Sequence, residues 1–254
     1  MAILEANHIV KIYGDIKEDR TTQALNEISL SINKGEFIAI MGASGSGKTT
    51  LLNILSGLDK PTSGAVTIAG EKINEISRNQ LALFRRQQLG FVFQDFNLLD
   101  SLTVKENMAL PMILEKKSSA DIDQKVQELA ALFGIEDILD KYPYQISGGQ
   151  QQRTAVSRAL VNNPSIILAD EPTGNLDSAS SADIMECFET IVENLASTIL
   201  LVTHDIFAAS YCQKVIFIKD GMIHSSIIRE SGREEFAQQI IAELSVIGGR
   251  KDVF

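Results

Sequence analysis

The fold turns on residues 36–55, EFIAIMGASGSGKTTLLNIL. An apolar run of strand length leads into a loop with three glycines, which ends in a lysine and two threonines before a second apolar run. From Gly42 through Gly47, Lys48 and Thr49 the spacing is G-x-x-x-x-G-K-[ST]. Glycines let the backbone close round a phosphate chain. The N–H groups of Gly42, Ala43, Ser44, Gly45, Ser46 and Gly47 would line that cradle. A helix starting at the lysine, with Thr50 in its first turn, adds the positive end of its dipole. Lys48 would reach the β- and γ-phosphates, and the Thr49 hydroxyl would hold Mg²⁺. Strand, loop and helix stand in the order this motif requires, unlike an ordinary glycine-rich turn. The reading is a site for a nucleoside triphosphate.

Outward from the loop, 254 residues suffice for one large domain or a domain with an inserted subdomain. With 44% apolar and 22% charged residues, the composition is that of a folded globular protein. Runs such as TILLV and VIFI are strand-length, well short of the about 18 apolar residues a membrane span needs. The opening MAILEANHIVKIYG lacks the sections of a signal peptide, so the expectation is a cytosolic protein. Asp plus Glu outnumber Lys plus Arg 33 to 23, a net charge of −10, which argues against nucleic acid as a partner. Cys187 and Cys212 lack metal-ligand spacing and read as reduced thiols packed as small hydrophobes.

The N-terminal part reads as short strands over residues 3–13, 25–32 and 36–41, with GDIKEDRTTQ (14–23) as a surface loop. KPTSGAVTIAG is a turn and strand, RNQLALFRRQQL an amphipathic helix, and GFVFQ a strand stopping at Gln94. Helical periodicity dominates from 95 to about 160. Then IILAD, TILLVTH and KVIFIKDG return as apolar strands, the first two separated by the helix SADIMECFETIVENLA. Apolar strands alternating with helices predict a parallel sheet covered on both faces, with ligands beyond its carboxyl ends.

Chemistry-bearing residues fall at those ends. Asp170 closes IILAD, where a carboxylate can orient the shell of Mg²⁺ opposite Thr49. Glu171 follows, where a general base would polarise an attacking water. An acidic pair before a helix has a simpler use, since carboxylates are favoured there. His204 ends TILLVTH at the same sheet edge and would hold base and water in line. Gln94 could ligate Mg²⁺ or the water and couple the helical insertion to the nucleotide. In ISGGQQQRTAVSRAL (146–160), Ser147, Gly148, Gly149 and Gln150 open a helix whose N–H groups form a second anion site. Lying in the insertion, that site makes sense closing over a nucleotide held by another copy.

These motifs together resemble the nucleotide-binding subunit of an ATP-binding-cassette transporter, over nearly the whole chain. GASGSGKT is similar to Walker A, IILADE to Walker B with its catalytic glutamate, and ISGGQ to the signature motif, with Ile146 where leucine is commoner. Gln94 matches the Q-loop, His204 the switch histidine, and Asp177 in GNLD the D-loop, with Asn175 in place of the usual serine. Tyr13 fits the aromatic residue that stacks on adenine, although a core tyrosine would read the same way.

The resemblance implies an α/β P-loop NTPase fold with a RecA-like parallel-sheet core, an antiparallel β subdomain and an inserted α-helical subdomain. It divides the chain into an ATPase core with β subdomain (1–94 and 161–228), a helical signature subdomain (95–160) and a helical tail (229–254). It implies ATP and Mg²⁺, a second copy of the chain as an ATP-sandwich dimer, and a permease docked at the cytoplasmic face of the membrane. Phe93, Phe96, Leu98 and Leu99 would line the permease groove, or simply pack in the core. At finer grain the chain resembles macrolide-efflux and lipoprotein-release ATPases. Closer still are the bacitracin and antimicrobial-peptide resistance transporters, whose permease partners a sensor histidine kinase. Soluble repair or translation cassettes, which carry coiled-coil insertions or tandem cassettes, and P-loop kinases, which have no use for SGGQ, fit less well. In the tail, Phe236, Ile240, Ile241, Leu244 and Ile247 share one helical face, with Gly248 ending the helix.

Overall fold

The computed structural model describes residues 2–15 and 20–248. Its centre is a six-stranded sheet in the order β10-β9-β3-β8-β7-β6. These are β3 (Phe37–Met41), β6 (Leu89–Phe93), β7 (Ile166–Asp170), β8 (Ile199–Val202), β9 (Lys214–Lys219) and β10 (Met222–Ile228). All neighbours pair parallel except β10, which runs antiparallel to β9 at the edge. The strand feeding the glycine loop thus lies inside the sheet, between β8 and β9. The strand ending just before His204 finishes beside it, and the strand ending at Asp170 lies one further along.

Alternation along β3 explains why both faces must be covered. Phe37, Ala39 and Met41 belong to one buried core, while Ile38 and Ile40 belong to another. The first core is roofed by α3 (Val104–Leu114), α4 (Ser119–Phe133), α5 (Gly148–Leu160), α6 (Ser178–Leu195) and α8 (Arg233–Ile247). Phe188 of α6 meets Phe37 edge-on at 6.1 Å between ring centroids. Burial of one such side chain contributes about 1.5–3 kcal/mol. The second core is closed by α1 (Lys48–Leu55), α2 (Arg78–Gln88) and a four-stranded antiparallel sheet, order β2-β1-β4-β5. That sheet comprises β1 (Ala2–Asp15), β2 (Arg20–Asn33), β4 (Ser63–Ile68) and β5 (Glu71–Lys72). A short α7 (Ile206–Ser210) follows β8.

Three helix starts are set by capping boxes, at Ser77 with Gln80, Thr103 with Glu106 and Ser147 with Gln150. Each satisfies two N–H groups that a helix start leaves open.

Two expectations need correction. The stretch 14–23 is not one loop: β1 and β2 are each 14 residues long and stay paired out to Asp15 and Arg20, with 16–19 outside the described residues. Beyond Tyr13 the described residues Gly14, Thr21, Thr22 and Gln23 are all exposed, so they carry no alternation for a sequence reading to detect. In α8, Phe236 and Ile240 are buried and Leu244 and Ile247 pack on the core, but Ile241 is 49% exposed. The helix stops at Gly248 without a left-handed turn, and 249–254 lie outside the described residues.

Candidate nucleotide-binding site

The glycine loop needs its glycines for room. A Cβ on Gly42 would lie 2.2 Å from the Ile218 carbonyl oxygen. Gly47 sits at φ +103°, and a Cβ there would lie 2.6 Å from the Ala24 carbonyl oxygen. The loop folds so tightly that Lys48 Nζ donates to its own carbonyls, Gly42 at 2.8 Å and Ala43 at 2.9 Å. Burial pulls the Lys48 ammonium below its ordinary pKa, while Glu171 and Asp170 oppose that shift. Ser46 Oγ is buried with no hydrogen-bond partner among the described residues, a hydroxyl suited to a polar ligand.

A cavity of about 730 Å³ opens on this loop. Its walls include Gly42, Ala43, Ser44, Gly45, Gly47, Lys48, Thr49 and Thr50, and facing them Asp170, Glu171 and His204. Residues more than a hundred positions apart thus share one space. Thr22, Gln23 and Ala24 of β2 also line it, which the sequence reading missed by assigning 22 and 23 to a surface loop. Asp170 has its carboxyl pushed above the usual range by burial and then by neighbouring Glu171, with Lys48 opposing.

Glu171 is the most constrained of these groups. It holds a left-handed backbone at φ +46°, uncommon without a glycine. Its N–H donates to the Val202 carbonyl at 2.8 Å. Its carboxylate accepts from Thr203 Oγ1 at 2.9 Å and from the His204 N–H at 3.1 Å, and its Oε1 lies 2.7 Å from His204 Nδ1. Thr203, fully buried, also accepts from the Asp205 N–H, so it is locked between the carboxylate and the start of α7. Nothing in the sequence singled Thr203 out beyond its place before His204. The arrangement holds a carboxylate and an imidazole in contact, as a base and its orienting partner require.

Among the described residues no cluster of three or more His, Cys, Asp or Glu would hold a metal by itself. The cavity brings together instead the Thr49 hydroxyl, at the start of α1, and the Asp170 carboxylate, at the end of β7. That donor set suits a hard cation such as Mg²⁺, which keeps water and phosphate oxygens as its other ligands.

Other predicted residues lie elsewhere. Gln94 is not part of the cavity wall: its amide donates to Asn175 Oδ1 at 3.1 Å, and Asn175 Nδ2 donates back to the Gln94 carbonyl and to Asp95. Asp177 caps α6, accepting from the Ser180 N–H and Oγ. Tyr13 is 42% exposed and not a core residue; its hydroxyl donates to Asp59 at 2.7 Å, and it pairs across the hairpin with Thr22 of the cavity wall.

Ser147, Gly148, Gly149 and Gln150 also stand outside the cavity. Here the expectation of free N–H groups narrows. The Ser147 N–H donates to Gln150 Oε1 and the Gln150 N–H to Ser147 Oγ, leaving those of Gly148 and Gly149 as the open donors. A cavity of about 530 Å³ is lined by Phe91, Phe93, Leu110, Pro111 and Leu114, rimmed by arginines including Arg158. Of the four apolar residues singled out around Gln94, Phe93 lines this cavity, and Phe96, Leu98 and Leu99 do not. None of the described helices is long and apolar enough to cross a membrane.

Comparison with known proteins agrees with this geometry. The family described as ABC transporter matches residues 25–174. The ABC transporter ATP-binding protein YxdL of Bacillus subtilis is 52% identical, covering 97% of this chain and 95% of its own. The bacitracin export ATP-binding protein BceA of Halalkalibacterium halodurans is 48% identical, covering 98% of both chains. Among solved structures, the cassette MJ0796, as a dimer in a post-hydrolysis state with ADP and Pi, superposes with a TM-score of 0.81. It is 40% identical and covers 90% of this chain and 99% of its own.

Proposed function

The chain belongs to the ABC transporter family and is an ATPase, and from that premise we propose that it drives a membrane permease conferring resistance to cell-wall-directed peptide antibiotics such as bacitracin. One observation carries the mechanism. The cavity unites the phosphate loop with Asp170, Glu171 and His204, while the helix at Ser147 stands outside it. Two copies would therefore bind ATP at a shared face. Each phosphate loop supplies one wall, and the other copy's Gly148 and Gly149 N–H groups supply the opposite wall.

Within that sandwich the loop amides and Lys48 hold the phosphates, and Thr49 and Asp170 are the groups that would hold Mg²⁺. Bound Mg²⁺ offsets charge on the phosphates. Glu171 takes the proton from the attacking water, and His204 steadies the carboxylate it already touches. Tyr13, at the margin of the wall, would stack on adenine. Gln94, tied to Asn175, would report the state of the site to the helical insertion (95–160). The apolar cavity between α2, β6 and the insertion, with Arg85, Arg86 and Arg158 in its wall, would take a cytoplasmic segment of the permease, which would put the subunit at the inner face of the membrane. Identity of 48% to a bacitracin export ATP-binding protein supports the cargo class. A permease of this class would also bring a sensor histidine kinase as a partner.

Cells lacking this gene should become sensitive to bacitracin or a related peptide, with resistance restored by the intact gene and not by its Lys48→Ala form. Unchanged inhibitory concentrations across a panel of such peptides would contradict the cargo class while leaving the ATPase reading intact.

A further inference from the structure

Gln152 is the third consecutive glutamine of SGGQQQR and lies in the second turn of α5, fully buried. Its Nε2 donates to two carbonyls, Pro172 at 2.6 Å and Phe93 at 3.3 Å. Both acceptors are oxygens, so the NH₂ end of the amide must face them. Those carbonyls belong to special neighbours. Pro172 follows Glu171, and Phe93 precedes Gln94. Phe93 and Asp170 are also register partners across the sheet. One side chain of the signature helix thus grips both strand ends that carry Asp170, Glu171 and Gln94.

The other end of the amide is unsatisfied. Gln152 Oε1 is buried and has no hydrogen-bond partner among the described residues. A buried orphan acceptor destabilises a fold, and an apolar side chain of similar size would avoid that cost. The glutamine therefore serves its two donated bonds, and those bonds serve position. Two turns on, Arg158 makes a parallel grip, donating to the Phe96 carbonyl at 2.8 Å and to that of Asn97. Phe96 and Asn97 both hold positive φ, at 59° and 49°. Helix α5 is bolted to the segment after β6 and to the segment after β7.

We infer that Gln152 is a positioning residue for hydrolysis: it transmits the placement of the signature helix, set by the nucleotide of a second copy, to the Glu171 backbone of its own chain. The inference rests on the shared-site reading above. The physical link is continuous, from the Gly148 and Gly149 N–H groups through one helical turn and one amide to Pro172. It makes each copy's base depend on whether its helix is seated on the other copy's ATP.

Gln152→Met keeps the length and volume and removes both donors. In the purified full chain, kcat for ATP should fall ~10- to 10²-fold, as expected when a catalytic group loses its placement. KM should stay within about twofold, because ATP-binding groups are untouched. In a Glu171→Gln background the same change should leave ATP-driven dimerisation intact. Gln152→Asn, which keeps the amide but holds it one methylene short, should show the same split and serves as the test if the Met variant fails to fold. A folded variant with kcat within about twofold of the parent overturns the inference. So does one that loses kcat and dimerisation together, since that marks general disruption of α5. If Glu171→Gln with Gln152 intact forms no ATP-driven dimer, the shared-site reading fails first and takes the inference with it.

Discussion

The phosphate loop and the SGGQ helix offer the same chemistry, backbone N–H groups at the start of a helix, in very different surroundings. Around the loop, the sheet gathers Asp170, Glu171 and His204 into a shared cavity of about 730 Å³. Around the helix start there is no such gathering. Ser147 and Gln150 satisfy each other, the Gly148 and Gly149 amides remain, and no residue of the SGGQ stretch lines the cavity. On the proposed reading, one is a reaction site lacking a wall, and the other is a wall lacking a reaction site. Their chemical match and spatial separation within one chain are what a second copy would resolve. The difference also gives a reason for the Glu171 carboxylate, the proposed base, to be fastened so thoroughly, by Thr203, by the His204 N–H and by the His204 ring. The proposed second wall arrives from outside, so the base must wait in place.

The loop side of this comparison can be broken outright. Among the described residues lining the cavity, Lys48 is the only lysine or arginine. Lys48→Ala should abolish measurable hydrolysis and weaken ATP binding, read by phosphate release and by nucleotide titration. Near-normal turnover would mean that the cavity is not the reaction site. A subtler change sharpens the account of the waiting base. Thr203→Val keeps the side-chain shape but removes the hydroxyl donated to Glu171 Oε2 at 2.9 Å. Stability should fall by about 1–3 kcal/mol, since the bond to Glu171 and the one from the Asp205 N–H are both lost. Steady-state kinetics should show kcat down roughly tenfold with KM for ATP unchanged, the mark of an interaction that matters at the transition state. An unchanged kcat would show that Glu171 needs no help from below the sheet edge.

Legibility in the sequence followed the range over which each feature is encoded. The phosphate loop is local, since strand, glycine spacing and helix start occupy one continuous stretch, so its geometry could be read directly. The parallel sheet was readable because strands buried on both faces are apolar throughout. Thr203 and Gln152 were not readable. Thr203 meets Glu171 across 32 positions, and Gln152 meets Phe93 across 59, so their partners exist only after folding. The hairpin beyond Tyr13 was hidden because exposed strand ends have no alternation. The apolar cavity beside β6 was not legible because Leu110, Pro111 and Leu114 sit in a helix whose apolar residues are split between core and surface. Periodicity cannot separate the two.

Whether one copy's helix start completes another copy's cavity is decided by Glu171→Gln. That substitution keeps the shape of the side chain and removes the basic oxygen, a loss typically worth ~10²–10⁴ in rate. It also removes a negative charge near the phosphates, so ATP should be held rather than released. Size-exclusion chromatography with light scattering should show the purified variant passing from monomer to dimer when Mg-ATP is added. Adding Ser147→Arg, which puts a bulky side chain at the helix start, should keep it monomeric. A dimer that forms with Mg-ATP and survives Ser147→Arg would contradict the shared site.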